Sequence, residues 1–157
     1  MPPIRFTIHG QPASKANSRE IVIRKQRKPD GTMGQRPAVI KSESALLYER
    51  EALRQIPPKA RLRLEGPVRV TLRIFYATEL PDLDESIVLD VLQDRWQRVE
   101  VPGKTEKERV LVQNGVYRND RQVREKHVYH GIDKLMPRTE VEIEPLQMQQ
   151  EGLALAA

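Results

Sequence analysis

Apolar and polar residues alternate with period two over Ile4-Arg5-Phe6-Thr7-Ile8-His9, which predicts a half-buried strand ended by Gly10, Gln11 and Pro12. A second alternation sets Val68, Val70, Leu72, Ile74 and Tyr76 against Arg69, Thr71, Arg73 and Phe75. It is the clearest in the chain and predicts a central strand. Between the two, Ala45, Tyr48, Ala52 and Ile56 recur at helical spacing. They predict a helix capped by Ser42, favoured by Glu43 at its positive end, running to about Gln55 and stopped by Pro57-Pro58. Ile87, Val88, Val91 and Leu92 predict a second helix from Glu85 to about Gln97. Val123–Tyr129 and Thr139–Pro145 predict two further strands, the latter with Val141 and Ile143 facing inward. The remaining segments lack an apolar period. Residues 13–35 read as a basic loop or mobile hairpin around a Pro-Asp-Gly turn signal, and 98–113 as an inserted surface loop. Residues 114–120 open on a turn dipeptide, and 147–157 read as a flexible tail. Helices set apart among strands predict an α+β domain over residues 1–146, with a mixed sheet and two main helices.

Composition narrows the partners. The 157 residues are 38% hydrophobic and 31% charged, with a net charge of +5, so a polyanion is the first partner to consider. The absence of cysteine excludes disulfides, thiolate zinc sites and cysteine nucleophiles, and fits a reducing compartment. One tryptophan, two phenylalanines and four tyrosines are too few for a broad base-stacking surface. No apolar run reaches the length of a membrane span or a signal peptide, so a cytoplasmic location is expected. The terminal Leu-Ala-Leu-Ala-Ala resembles the end of a bacterial degradation tag, though a short apolar tail reads this way by coincidence.

Candidate chemistry centres on Glu79-Leu-Pro-Asp82-Leu-Asp84-Glu85-Ser86. In extended chain, Asp82 and Asp84 point to one side, and two close carboxylates repel unless a divalent cation joins them. Magnesium takes one or two carboxylates and keeps several waters, which a phosphodiester can replace. The competing reading makes Asp84 a helix cap. Asp120 lies in another turn from which it could return to the same edge of the sheet. His9, His127 and His130 show no metal-ligand spacing, and Trp96 reads as a core or dimer contact rather than a base-stacking residue.

"PDLD" after an alternating strand and before a helix, followed by "VYRNDRQV", resembles the RusA-type Holliday-junction resolvases. "IHGQPASKANSR", "RPAVIKSESALLYEREA" and "GPVRVTLRIFY" are similar to that family's opening strand and polar turn, its first helix and its central strand. The resemblance implies an intertwined homodimer in the bacterial nucleoid that cleaves four-way or otherwise branched DNA with magnesium, or manganese. It further implies a catalytic metal site at Asp82, Asp84 and Asp120, with Glu85 either a fourth ligand or a first-turn helix acid. DNA contacts are expected from Lys15, Asn17, Arg19, Arg24, Lys25, Arg27, Lys28, Arg36 and Lys41, with Arg118 and Arg121 at the scissile phosphate. The chain departs from the family at Glu85, where asparagine is usual, and at Val88, where lysine is usual. That missing lysine keeps open a branched or single-stranded DNA-binding protein of the same fold that cuts weakly or not at all. A basic RNA-binding module without a metal is the other alternative.

Overall fold

The structure, a computed structural model, describes residues 1–147, so the tail expected at 147–157 lies almost wholly outside the described residues. Its order is β1 (Ile4–His9), β2 (Arg19–Arg27), β3 (Met33–Lys41), α1 (Glu43–Gln55), β4 (Val68–Tyr76), α2 (Ser86–Leu92), β5 (Arg95–Val99), β6 (Glu108–Gln113), β7 (Val123–Ile132) and β8 (Arg138–Pro145). A four-stranded sheet runs β1-β8-β4-β7, while β2-β3 and β5-β6 form separate two-stranded hairpins. Within the sheet β4 pairs antiparallel with β8 and parallel with β7, so the sheet is mixed and the class is α+β.

The central alternation explains the layering. Val68, Val70, Leu72, Ile74 and Tyr76 are fully buried and face both helices. From α1 come Ala45, Tyr48 and Ala52, and from α2 come Ile87, Val88, Val91 and Leu92. Fully burying one such aliphatic side chain contributes about 1.5–3 kcal/mol, so this single apolar layer dominates the fold. Among the described residues, no helix covers the opposite face of the sheet. It is laced by ion pairs from Arg69 to Glu125 and Glu144 and from Arg5 to Glu142, while Arg138 lies 4.1 Å from the Phe75 ring centroid. Helix α1 starts as expected, with the Ser42 hydroxyl accepting the Ala45 N–H at 3.2 Å.

Three expectations are corrected. The loop reading of residues 13–35 gives way to the hairpin one: after a turn of 3-10 helix at Lys15–Asn17 they enter an ordered hairpin whose strands span Arg19–Arg27 and Met33–Lys41. Residues 98–113 likewise belong to a hairpin that already begins at Arg95. The second helix stops at Leu92 rather than near Gln97, because Asp94 is drawn out of helical geometry. Its carboxylate, with 1% of the side chain exposed, accepts hydrogen bonds from the Arg63 guanidinium and from the Gly115 N–H at 2.8 Å. The segment at Gly115 passes so close that a Cβ there would lie 2.3 Å from the Gln93 carbonyl carbon and 2.5 Å from the Asp94 nitrogen.

Arg63→Ala leaves the Asp94 carboxylate buried with only a backbone donor. It should cost about 2–3 kcal/mol in urea unfolding, because stranding a buried charge is far more expensive than losing a surface pair. Arg54→Ala, which removes an exposed pair with Glu51, should cost under about 0.5 kcal/mol. Equal costs for the two would show that Asp94 is not the keystone described.

Candidate functional site

A cleft of about 280 Å³ opens between the base of the β2-β3 hairpin and helix α2. The hairpin supplies Arg19 and Lys41, which stand directly opposite each other in the strand register. Helix α2 supplies Ser86 and Asp90, and the single-turn 3-10 helix Asp120–Gln122 supplies Asp120. Lys41 is fixed here by hydrogen bonds to Glu49 at 2.5 Å and Asp90 at 2.8 Å, and Arg95 also bonds Glu49. Burial alone would lower the Lys41 pKa, but its bonds to Asp90 and Glu49 outweigh that and raise it above the usual lysine value.

The candidate carboxylates divide between the two ends of α2. Asp84 is buried and Asp82 exposed, so they do not present a matched pair to one side. The Asp84 carboxylate accepts from the Ser86 N–H at 3.0 Å and the Ser86 hydroxyl at 2.7 Å, which holds the first residue of α2, but the N-cap position itself falls on Glu85, whose side chain makes no capping bond. The Tyr76 hydroxyl anchors this end, donating to the Asp82 carbonyl and accepting from the Asp84 N–H at 3.1 Å. Glu85 bonds Lys126 of β7 at 2.5 Å instead of turning toward the cleft. Asp120 sits at the other end. Its N–H donates to the Gln93 side chain, and it shares the cleft with Asp90. Among the described residues, no three His, Asp or Glu side chains are grouped to hold a metal ion. The three aspartates do not meet in this conformation, although Ser86 links the Asp84 carboxylate to the cleft that contains Asp120.

Val88 is 0% exposed and packs in the core, so a lysine there would point into apolar packing rather than the cleft. The cleft draws its ammonium group from Lys41 of β3, a contribution invisible in local spacing. Arg118 is committed to Glu65, and neither it nor Arg121 lines the cleft. Asn17 acts through its backbone carbonyl, which accepts the Ser42 hydroxyl and ties the hairpin base to α1. Beyond Lys41, the hairpin cations Arg19, Arg24, Lys25, Arg27, Lys28 and Arg36 form no ion pair among the described residues, and neither does Lys15 in the turn before them. Arg24 and Arg36 face each other directly across the strands, an arrangement that repels without an anion. Trp96, expected as a core or dimer contact, is not in the core: it lies on β5 with 41% of its surface exposed. Asp90 and Glu49 are thus features that the motifs did not single out. No protein-family model matches the chain, and no curated protein matches it.

Two tyrosines buttress the site, and together with Tyr48 of the core they should mark the alkaline limit of the fold. Burial raises the pKa of Tyr76 and of Tyr117, whose hydroxyl donates to the Leu89 carbonyl at 2.7 Å, and it pushes Tyr48 up to about 12. A folded-state value above the unfolded one, about 10, gives stability that is complete below pH ~10 and is lost as pH rises through the folded value. Stability should therefore fall above about pH 10, with tyrosinate absorbance from these groups appearing together with loss of circular dichroism. Early, complete ionisation in an intact fold would show that these hydroxyls are not sequestered.

Proposed function

We propose that the chain is a structure-selective DNA endonuclease of the Holliday-junction resolvase type, which binds branched DNA and hydrolyses a phosphodiester with magnesium. One observation carries the DNA reading: unpaired cations are concentrated on a projecting hairpin whose base opens onto a cleft containing carboxylates. A two-stranded ribbon can enter a duplex groove, and paired arginines without carboxylates match the phosphate backbone, giving affinity without base preference. The three aspartates stand apart in this conformation, so magnesium would be held through Asp120 together with Asp82 and Asp84 only once they are drawn together, and when bound it would supply charge neutralisation and an activated water. Lys41 and Arg19 would hold the phosphate in the cleft, and Glu49 and Asp90 would keep Lys41 on its wall. A homodimer belongs to this reading, since two symmetric nicks across a four-way junction require two sites related by a two-fold axis.

The separation of Asp84 from Asp120 favours a second reading, in which the same fold binds branched DNA without cutting it. A labelled four-way junction incubated with magnesium or manganese separates the two. For the nuclease, wild type should cut and Asp120→Asn should bind with equal or greater affinity while cutting at least a hundredfold more slowly, about 2.7 kcal/mol of barrier. Retained binding with no cutting by wild type selects the second reading, and RNA bound as tightly as the junction overturns both. Arg24→Ala combined with Arg36→Ala should weaken junction binding and lower the salt slope by roughly one to two.

A further inference from the structure

The β5-β6 hairpin carries a second unmatched surface. In its register Trp96 stands opposite Leu111 and Arg98 opposite Arg109, so these four side chains share one face. The Arg109 guanidinium lies 4.3 Å from the centroid of the Trp96 ring. Arg98 and Arg109 have no carboxylate partner among the described residues; of the hairpin's acids, Glu108 pairs with Lys104 and Glu100 with Lys107. Two arginines directly across a strand pair repel each other, and an exposed tryptophan among them is left half in water. The register also shifts between Arg95 and Trp96, an irregularity of the kind that re-aims a side chain. Arg95 itself is bonded to Glu49 beside the cleft, so this face begins one residue from the proposed site of chemistry.

An aromatic ring roofed by a guanidinium and flanked by a second one fits a flat, electron-rich group attached to a phosphate. We propose that this face binds an unpaired DNA base, stacked on Trp96 and Arg109, with its phosphate on Arg98. The inference rests on the DNA-binding reading above and deepens it: the preferred substrate contains unpaired bases, as an open junction or a flap does and a closed duplex does not. The uncompensated positive charge selects a polyanion over an apolar protein surface, for which two adjacent arginines would be costly to desolvate.

Trp96 is the single tryptophan of the chain, so its emission reports this face alone. Binding of labelled oligothymidylate, a four-way junction with an unpaired tract, blunt duplex and heparin should be followed by anisotropy, and tryptophan emission recorded at matched saturation. Quenching by at least half is expected with the first two and little with duplex or heparin. Trp96→Phe should keep single-strand affinity within about threefold, and Trp96→Ala should lose about tenfold, with duplex affinity unchanged in both. DNA that binds without quenching overturns this inference and leaves the DNA reading standing, whereas failure of every DNA to bind removes both. Equal quenching by heparin overturns it by showing that only Arg109 was displaced. A blue shift that grows with protein concentration without DNA overturns it in favour of a second copy of the chain.

Discussion

The buried carboxylate of Asp94 sets the geometry on which the site depends. It receives Arg63 from the segment before β4 and the Gly115 N–H from the segment after β6. The chain at 115–118 is thereby threaded between two others, with Leu64 N–H donating to the Val116 carbonyl at 2.8 Å and Val116 N–H to the Leu92 carbonyl at 2.7 Å. Side-chain bulk is impossible at the crossing, hence glycine at 115. Once threaded, Tyr117 is fully buried against α2 and Asp120 is delivered to the helix end. The same constraint ends α2 after seven residues and turns Arg95 back toward Glu49.

Charge is distributed in two different ways over the molecule. On the open face of the main sheet Arg5 and Arg69 are matched by carboxylates, as is Lys41 on the cleft wall, so the field of these cations is largely cancelled. On the two hairpins, several cations face one another across the strands without acids: Arg24 with Arg36, and Arg98 with Arg109. Each such pair costs stability in the free protein and is relieved by an external anion. A net charge of +5 alone would be compatible with a solvated surface. Its placement on projecting ribbons argues for a polyanion.

The sheet and the first helix were legible because each is governed by local signals. Period-two alternation at Val68–Tyr76, a serine cap at 42 and a proline pair at 57 all act within a few residues. The early end of α2 was not legible, since Ile87 to Leu92 predict a helix equally well whether it stops at 92 or 97, and the stop comes from Arg63 and Gly115 far away in sequence. The second hairpin was missed, and the first was read only as an alternative to a loop, for a related reason. With Ile21 75% exposed and Trp96 at the surface, neither ribbon has the one-sided burial that produces alternation. The site was legible only in its residue types. Asp84 was weighed as a helix cap or a metal ligand; it is bonded locally to Ser86 one residue before the N-cap, whereas the partition of carboxylates between the two ends of α2 and the arrival of Lys41 depend on tertiary folding.

Lys41 couples the arm to the cleft. It closes β3 and so belongs to the hairpin, but its ammonium group is bonded to Glu49 of α1 and Asp90 of α2. The hairpin is otherwise joined to the body near its base, through Ser42 N–H to the Ser18 carbonyl and the Ser42 hydroxyl to the Asn17 carbonyl. A force on the arm is therefore transmitted to the residues facing Asp120. A phosphate entering the cleft would compete with Asp90 for Lys41 and loosen one of the few bonds that fix the arm. On the DNA-binding proposal, arm and cleft would respond together, because the cation that lines the cleft is carried by the hairpin.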